Sequence, residues 1–457
     1  MNARILLTAL TFDILYFIIF NRICVLTDSV KERLAMIRGD KYTVKIEDTT
    51  LMGAGVAKID GGVVFVDGCV EGDVCEIEIT DVKKNFSSAM CRNMISESKD
   101  RCDSDCSHYP DCGGCVFRHV KFEYENSVKE NAVRSALKKS GLEVEKFNGI
   151  LYGSAERFRN KATFHFAKNG DGGFCEHDSR RVVAVDDCVS CPEIFSEIAA
   201  VMTELIRDGL RAPDEMALRV SADREVSVAI TGKLSEAEKG KIAMCLCSRF
   251  PNIVGISVRA TEKEKYKAVM GEKHVTGKLF DLRFRISPEA FFQVNYEGAE
   301  KLFGEVIRMA EKCSFTKCAD LYCGTGTIGM LLASRFRDAS FTGVEINREA
   351  VADAKYNAKL NGLKNIKFHC GDAAEYASSE SPELVVVDPP RRGLSDGMID
   401  VLCKLAAENV IYVSCNPFTL TRDLKKLCEF GYEINEVTPV NMFPRSEHCE
   451  VIVSMTR

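Results

Sequence analysis

The chain has 457 residues, too many for one ordinary hydrophobic core, so two or three domains are expected. Its 46% hydrophobic and 28% charged content is that of a soluble globular protein. The net charge of −6 does not announce a nucleic-acid binder: RNA contacts would need local basic patches, and with no Trp, stacking would fall to Phe, Tyr or Arg.

Twenty-one cysteines are many, but the chain is far too long for a small disulfide scaffold. Cys313, Cys403 and Cys428 sit inside apolar patterns, where thiols behave as small hydrophobes, and a reducing cytoplasm fits this usage. The first element is Ile5 to Phe20, mostly apolar and preceded by Arg4, like a signal or anchor segment. Asp13 in its middle would cost roughly 2.5–3.5 kcal/mol in a spanning helix. The run is also short for a span and no A-x-A-like cleavage site follows, so no membrane segment is expected. Met36 is the expected natural start, with 1–37 an N-terminal extension.

Lys41 to Met94 reads as short strands. Tyr42-Thr43-Val44-Lys45-Ile46 alternates, and Gly53, Gly55, Gly61, Gly62 and Gly68 punctuate runs such as Val63–Val66 and Val74–Ile79. A small closed barrel of the oligonucleotide-binding kind follows, with Lys83, Lys84 and Phe86 at a basic, aromatic end. Next, Cys102, Cys106, Cys112 and Cys115 fall within fourteen residues among Gly and Pro. They form a loop that wraps zinc or an iron–sulfur cluster. The radical S-adenosylmethionine spacing is absent, and a fourth ligand could be Cys102 or come from Cys188 or Cys191.

Phe122 to Leu142 is expected to be helical, stopped at Ser140-Gly141. Arg157 to Phe166 alternates basic, polar and aromatic residues like a strand with a phosphate-contacting surface. Residues 180–285 alternate strands (Arg181–Val185, Val226–Ile230, Ile253–Val258) with helices (Pro192–Asp208, Ser235–Phe250), an α+β pattern. From Ser287 the chain reads as β-α units: Pro288–Met309 mainly helical, then strands at Cys318–Cys323, Ser340–Glu345, Ile366–Asp372 and Leu384–Arg391, and a fifth at Asn409–Tyr412 that leads into Cys415. Helices between them imply a parallel sheet covered on both faces. Thr419, Thr421 and Asp423 offer caps for a last helix through Leu424 and Leu427.

The chemistry gathers at the strand ends. Gly324-Thr325-Gly326-Thr327-Ile328-Gly329 follows a strand and opens a helix, and Glu345 answers it at the next strand end. Glycines admit a ligand close to the backbone, and the acid takes ribose hydroxyls. No dinucleotide G-x-G-x-x-G is present. With Asp372 placed to meet an adenine edge, this is the arrangement of a class I S-adenosylmethionine site. In Asp388-Pro389-Pro390-Arg391, Arg stands where amino-group methyltransferases carry an aromatic residue, which disfavours amine methylation. Another activating group is needed, and Cys415, at the carboxyl end of the fifth strand, offers a nucleophile.

The motifs Phe291-Phe292-Gln293-Val294-Asn295, Asp320-Leu-Tyr-Cys-Gly-Thr-Gly-Thr, Asp388-Pro-Pro-Arg-Arg-Gly, Ser414-Cys415-Asn416-Pro417 and His448-Cys449-Glu450-Val451 together resemble the RNA uracil-5-methyltransferase family, over nearly all of Met36 to Arg457. The resemblance implies an α/β architecture. It comprises a TRAM barrel at 38–93, a central α+β domain with a 4Fe–4S cluster at 94–117 and 151–288, and a Rossmann-like methyltransferase domain at 118–150 and 289–457. Cys106, Cys112 and Cys115 match the family's five-then-two spacing, and Cys188 is the implied fourth ligand, with Cys191 near enough to leave the choice open. Gln293, Tyr322, Gly324, Gly326, Thr327, Glu345, Asp372 and Asp388 are the expected cofactor residues. Cys415 would add to carbon 6 of a uracil, and Glu450 matches the base that removes the carbon 5 proton. The target uridine must leave its stack. The expected substrate is 23S ribosomal RNA. A transfer RNA substrate and a non-enzymatic iron–sulfur RNA-binding module are the alternatives, and a cytoplasmic monomer is expected.

Overall fold

A computed structural model describes residues 36–177, 179–377 and 381–457. The expectations for the N-terminal extension and for a start at Met36 concern residues outside these. The chain divides into two compact units, one through Arg101 and one of Cys102–Arg457.

The first unit is a six-stranded sheet of β1 (Lys41–Lys45), β2 (Asp48–Thr49), β3 (Gly55–Ile59), β4 (Gly62–Asp67), β5 (Val74–Val82) and β6 (Ser87–Ser96), ordered β1-β5-β6-β4-β3-β2. Only Ile46 and Glu47 separate the two end strands, so the sheet returns upon itself as a barrel. Alternation puts Ile77 and Ile79 of β5 and Val64 and Val66 of β4 inside, around Ile46. Strand β6 runs three residues past the expected boundary at 93. At the basic end Lys83 pairs with Asp81, and Phe86 sets its ring edge-on to Phe65.

The second unit opens with the cysteine loop and α1 (Phe122–Lys139), then β7 (Lys146–Phe147) and β8 (Leu151–Tyr152). The central sheet follows. Its elements are β9 (Lys161–Phe166), β10 (Gly172–Cys175), β11 (Val182–Ala184), α2 (Glu193–Arg207), β12 (Glu215–Val220), β13 (Val226–Thr231), α3 (Glu236–Arg249), β14 (Ile253–Arg259) and β15 (Lys267–Gly271). Strand order is β11-β10-β9-β12-β13-β14-β15, with α2 and α3 packed on it through Phe195, Ile198, Met202, Ile242 and Leu246. The hairpin of β16 (Val275–Leu279) and β17 (Leu282–Ile286) belongs elsewhere. Val275, Leu279, Phe284 and Ile286 enter the core of the last domain, so the packing boundary lies between β15 and β16, not at 288.

That domain comprises α4 (Tyr296–Ala310), β18 (Lys317–Leu321), α5 (Thr327–Arg335), β19 (Ser340–Glu345), α6 (Arg348–Leu360), β20 (Ile366–Cys370), α7 (Ala373–Ala377), β21 (Leu384–Val387), α8 (Asp396–Leu405), β22 (Asn409–Ser414), α9 (Pro417–Glu429), β23 (Glu433–Asn441) and β24 (Glu450–Thr456). The sheet order is β20-β19-β18-β21-β22-β24-β23-β7, with β8 also beside β23. The first five strands are parallel, as expected, whereas β24 runs antiparallel to both β22 and β23. Both faces are covered. Val385 and Val387 meet α1, α8 and α9 on one side, while Leu384 and Val386 meet α4, α5 and α6 on the other.

Helix α4 starts eight residues later than the helical reading of Pro288–Met309. The Val294 carbonyl accepts from the Asn160 amide at 2.7 Å, and Asn295 caps the helix while its side-chain amide donates to the Met442 carbonyl at 3.0 Å. These tertiary bonds hold 291–295 as a loop. Among the described residues no helix is long and apolar enough to cross a membrane.

Candidate active site and cysteine cavity

The strand ends of the parallel sheet open on a cavity of about 670 Å³. Seven of the eight expected cofactor residues line it: Gln293, Tyr322, Gly324, Thr327, Glu345, Asp372 and Asp388. Gly326 does not. It adopts φ 79° as the N-cap of α5, and a Cβ there would collide with the Phe368 ring, so its role is the turn itself. Gly324, at φ 54°, donates its amide to Glu345 Oε2 at 3.1 Å, while Glu345 Oε1 accepts from the Asn347 amide at 2.8 Å. The acid is therefore fixed across the turn. Asp372 Oδ1 accepts from the Ala374 amide at 2.8 Å and so also starts α7.

Asp320 lies beneath the turn, fully buried, with Oδ2 accepting from the Gly329 amide at 2.8 Å. Its Oδ1 has no partner, and burial raises the carboxyl to about 7 against that amide's pull. Gln293 Oε1 is likewise buried without a partner, in the same cavity. A buried polar atom left unpaired costs about 1–3 kcal/mol, so both mark places where a bound polar ligand would recover stability.

Cys415 and Glu450 line the same cavity. Ser414 of β22 pairs with Val451 of antiparallel β24, so the next residues at this end, Cys415 and Glu450, lie across from each other. Burial lifts the Cys415 thiol to about 11, with the charges of Glu450 and Asp388 adding and Arg391 opposing. Burial likewise lifts Glu450 to about 8, with Asp388 adding and Arg391 opposing, and lifts Asp388 to about 7. A neutral thiol thus stands among carboxylates able to exchange protons near neutrality.

Helix α9 fixes this corner. Its cap is Asn416, accepting from the Phe418 amide at 3.0 Å with Pro417 at the first position, and not Thr419, Thr421 or Asp423. Thr419 Oγ1 donates to the Arg391 carbonyl at 3.1 Å. Asp423 is fully buried and accepts from the Leu394 amide at 2.7 Å and the Tyr412 hydroxyl at 2.8 Å, which staples the Pro-Pro-Arg loop to β22. Phe291, 70% exposed at the cavity mouth, and Arg392 also line the site. Phe291 was legible only as a motif member, since an exposed aromatic has no periodic signal.

The cysteine loop encloses a separate cavity of about 370 Å³, lined by Cys106, Cys112, Cys115, Cys188 and Cys191. Cys102 is outside it, its thiol directed at the Arg118 carbonyl. Gly113 is required here: a Cβ would meet the His177 backbone nitrogen at 2.7 Å. The segment Arg157–Arg159 does not present a phosphate-contacting strand. It is the scaffold of the Cys188 loop. Arg157, at φ 50°, grips Asp187 with both nitrogens and donates to the Cys188 and Cys191 carbonyls at 2.9 Å, and the strand itself begins only at Lys161.

The donor set fits a cluster better than a single ion. Around one zinc with bonds of about 2.3 Å, thiolates sit about 3.8 Å apart. No three of Cys106, Cys112, Cys115 and Cys188 bring their sulfurs within 4.8 Å of one another, whereas all four face one chamber. Arg118, Arg159 and Lys161 line the same chamber and would offset the charge of a thiolate-bound group.

The two sites are joined. The Val116 amide, next to Cys115, donates to the Arg445 carbonyl at 2.7 Å. The Arg445 guanidinium donates to the Val120 carbonyl at 2.8 Å, and its amide to Glu125 Oε1 at 2.9 Å. Buried Lys129 links Glu125 at 2.8 Å with Asn441 Oδ1 at 2.7 Å. The cysteine loop is thereby tied to the segment that leads into Glu450.

Comparison with known proteins agrees with this architecture. Residues 37–90 match the TRAM domain model and 249–457 the tRNA (Uracil-5-)-methyltransferase model. An uncharacterized RNA methyltransferase of Halalkalibacterium halodurans is 32% identical over 92% of this chain and 98% of its own length. One of Clostridium acetobutylicum is 31% identical with the same coverage. Among solved structures, Pyrococcus abyssi tRNA (uracil-54, C5)-methyltransferase in complex with S-adenosyl-L-homocysteine has a TM-score of 0.73, 24% identity, and coverage of 91% of this chain and 100% of that one.

Proposed function

The chain belongs to the RNA uracil-5-methyltransferase family, and on that premise we propose that it methylates carbon 5 of a uridine in 23S ribosomal RNA, with S-adenosylmethionine as methyl donor and Cys415 as covalent nucleophile. The observation that carries the reading is the pairing of Cys415 and Glu450 across adjacent antiparallel strand ends, inside the cavity that also holds the glycine turn and Glu345.

Carbon 5 of uracil is a weak nucleophile. Cys415 Sγ adds to carbon 6 and its proton passes to a carboxylate of the site. The resulting enolate attacks the methyl sulfonium, forming the carbon–carbon bond as the sulfonium carbon–sulfur bond breaks. Glu450 then takes the carbon 5 proton, and elimination restores the double bond and expels Cys415. Desolvation serves both steps, since it keeps Glu450 basic enough to accept a proton near pH 8. Gln293, Tyr322, Gly324, Thr327, Glu345, Asp372 and Asp388 position the donor. Phe291 at the mouth is placed to stack a base leaving its helix.

Cys106, Cys112, Cys115 and Cys188 would hold a 4Fe–4S cluster, with Cys191 in reserve beside Cys188. Bound there, the cluster would cross-link the cysteine loop to the Arg157 and Arg445 segments. The protein acts as a cytoplasmic monomer. The second reading, a transfer RNA substrate, is favoured by the structural neighbour, itself a tRNA enzyme. Labelled methyl transfer to 23S transcript and to tRNA separates them. The proposal expects 5-methyluridine in the 23S transcript; label in tRNA alone selects the second reading, and label on any other atom overturns both.

A further inference from the structure

Another set of thiols converges within the first unit. Cys69 in the turn after β4, Cys75 on β5 and Cys91 on β6 place their sulfurs within 4.8 Å of one another, the only such group of three among the described residues. The Cys69 and Cys75 sulfurs are 3.8 Å apart. Two strands and the turn after β4 deliver them to one point, so the convergence is a property of the tertiary fold and not of a local sequence repeat. Cys69 and Cys75 are fully buried, whereas Cys91 is half-buried and gives the point one approach from solvent.

Spacing separates this group from the cysteine loop. With metal–sulfur bonds of about 2.3 Å, thiolates around one ion lie about 3.8 Å apart in a tetrahedron and about 4.0 Å in a trigonal plane. The Cys69 and Cys75 sulfurs already have that spacing, and the Cys91 sulfur lies within 4.8 Å of both. Three thiolates and no imidazole make a soft donor set, which selects thiophilic ions over magnesium or calcium.

We propose that Cys69, Cys75 and Cys91 form a second metal site, a three-thiolate pocket in the barrel that takes one Zn²⁺- or Cu⁺-class cation. On binding, three S–H bonds give way to three metal–sulfur bonds and three protons pass to solvent. Because its ligands come from the β4 turn, β5 and β6, the ion would clamp the barrel strands together.

The test is anaerobic titration of the full chain with Cd²⁺, with alkylation of Cys91 read by peptide mass spectrometry, so that metal taken by the cysteine loop is not counted. Protection of Cys91 at least tenfold, lost in Cys75→Ser and unaffected in Cys112→Ala, is the expected result. Alkylation of Cys91 at the same rate with and without Cd²⁺ overturns the site, as does protection that survives Cys75→Ser or disappears in Cys112→Ala. Should Cys75→Ser unfold, which circular dichroism reports, the wild-type rates alone decide.

Discussion

Cys415 sits where two influences oppose each other. It lies just before the N-terminus of α9, whose dipole favours a thiolate, yet burial and the Glu450 and Asp388 charges hold the thiol near 11. Desolvation wins, so Cys415 rests as a thiol, and in the proposed mechanism proton transfer to a carboxylate belongs to the attack itself. Cys415→Ala should lower methyl transfer by at least a thousandfold and leave no covalent RNA complex, as read by labelled methyl incorporation; residual turnover near wild type would assign the nucleophile elsewhere. Glu450 gives a pH signature. Its folded value, about 8, exceeds its ordinary 4.5, so the folded state holds this proton more tightly than the unfolded one. The resulting stabilisation is complete below 4.5 and is lost as pH rises through about 8. Glu450→Gln lacks it. The variant's melting temperature should therefore gain on wild type between about pH 5 and about pH 9, and parallel curves would contradict the burial account. That Cys415 follows a strand end was legible in the apolar run before it, whereas Glu450, which opens β24, was named only through the family motif. The raised thiol pKa was not, because it depends on carboxylates from two other strands.

At the level of elements, the parallel strands were readable from their apolar runs and the glycine turn that follows the first. Some misread elements trace to tertiary hydrogen bonds: Asn295 and Asn160 hold 291–295 out of helix α4. The α9 cap was a local choice, Asn416 accepting from the Phe418 amide in place of Thr419. The basic Arg157–Arg159 stretch looked solvent-facing because alternation carries no information about Asp187, its partner from another loop. Two predictions belong here. Gly113→Ala forces a Cβ against the His177 backbone and should cost most of the iron in the purified protein, as should Cys112→Ala, measured by iron content per chain. Arg445→Ala removes the guanidinium bonds of the tie, to the Phe117 and Val120 carbonyls, and leaves its backbone bonds to Val116 and Glu125 in place. It should slow turnover more than it weakens RNA binding, with a stability loss of about 1–3 kcal/mol for the buried groups it unpairs. A pure binding defect would mean the tie does not position Glu450.

Across the whole molecule, an acidic chain gathers basic side chains at its two cavities: Arg118, Arg159 and Lys161 around the cysteine chamber, and Arg391 and Arg392 in the cavity of Cys415 and Glu450. The barrel and the parallel sheet were visible in composition, since glycine-punctuated short strands and β-α units each have their own texture. The β16–β17 hairpin escaped it because a short alternating pair fits either neighbouring core, and only packing assigns it to the methyltransferase core. The central claim is that uracil is methylated through a covalent adduct at Cys415 and released by Glu450. The direct measurement is mass spectrometry of Glu450→Gln after incubation with 23S transcript and S-adenosylmethionine. A stable complex is predicted, with a methylated uridine attached at Cys415. Absence of any adduct, with methyl transfer continuing at the wild-type rate, would contradict the claim.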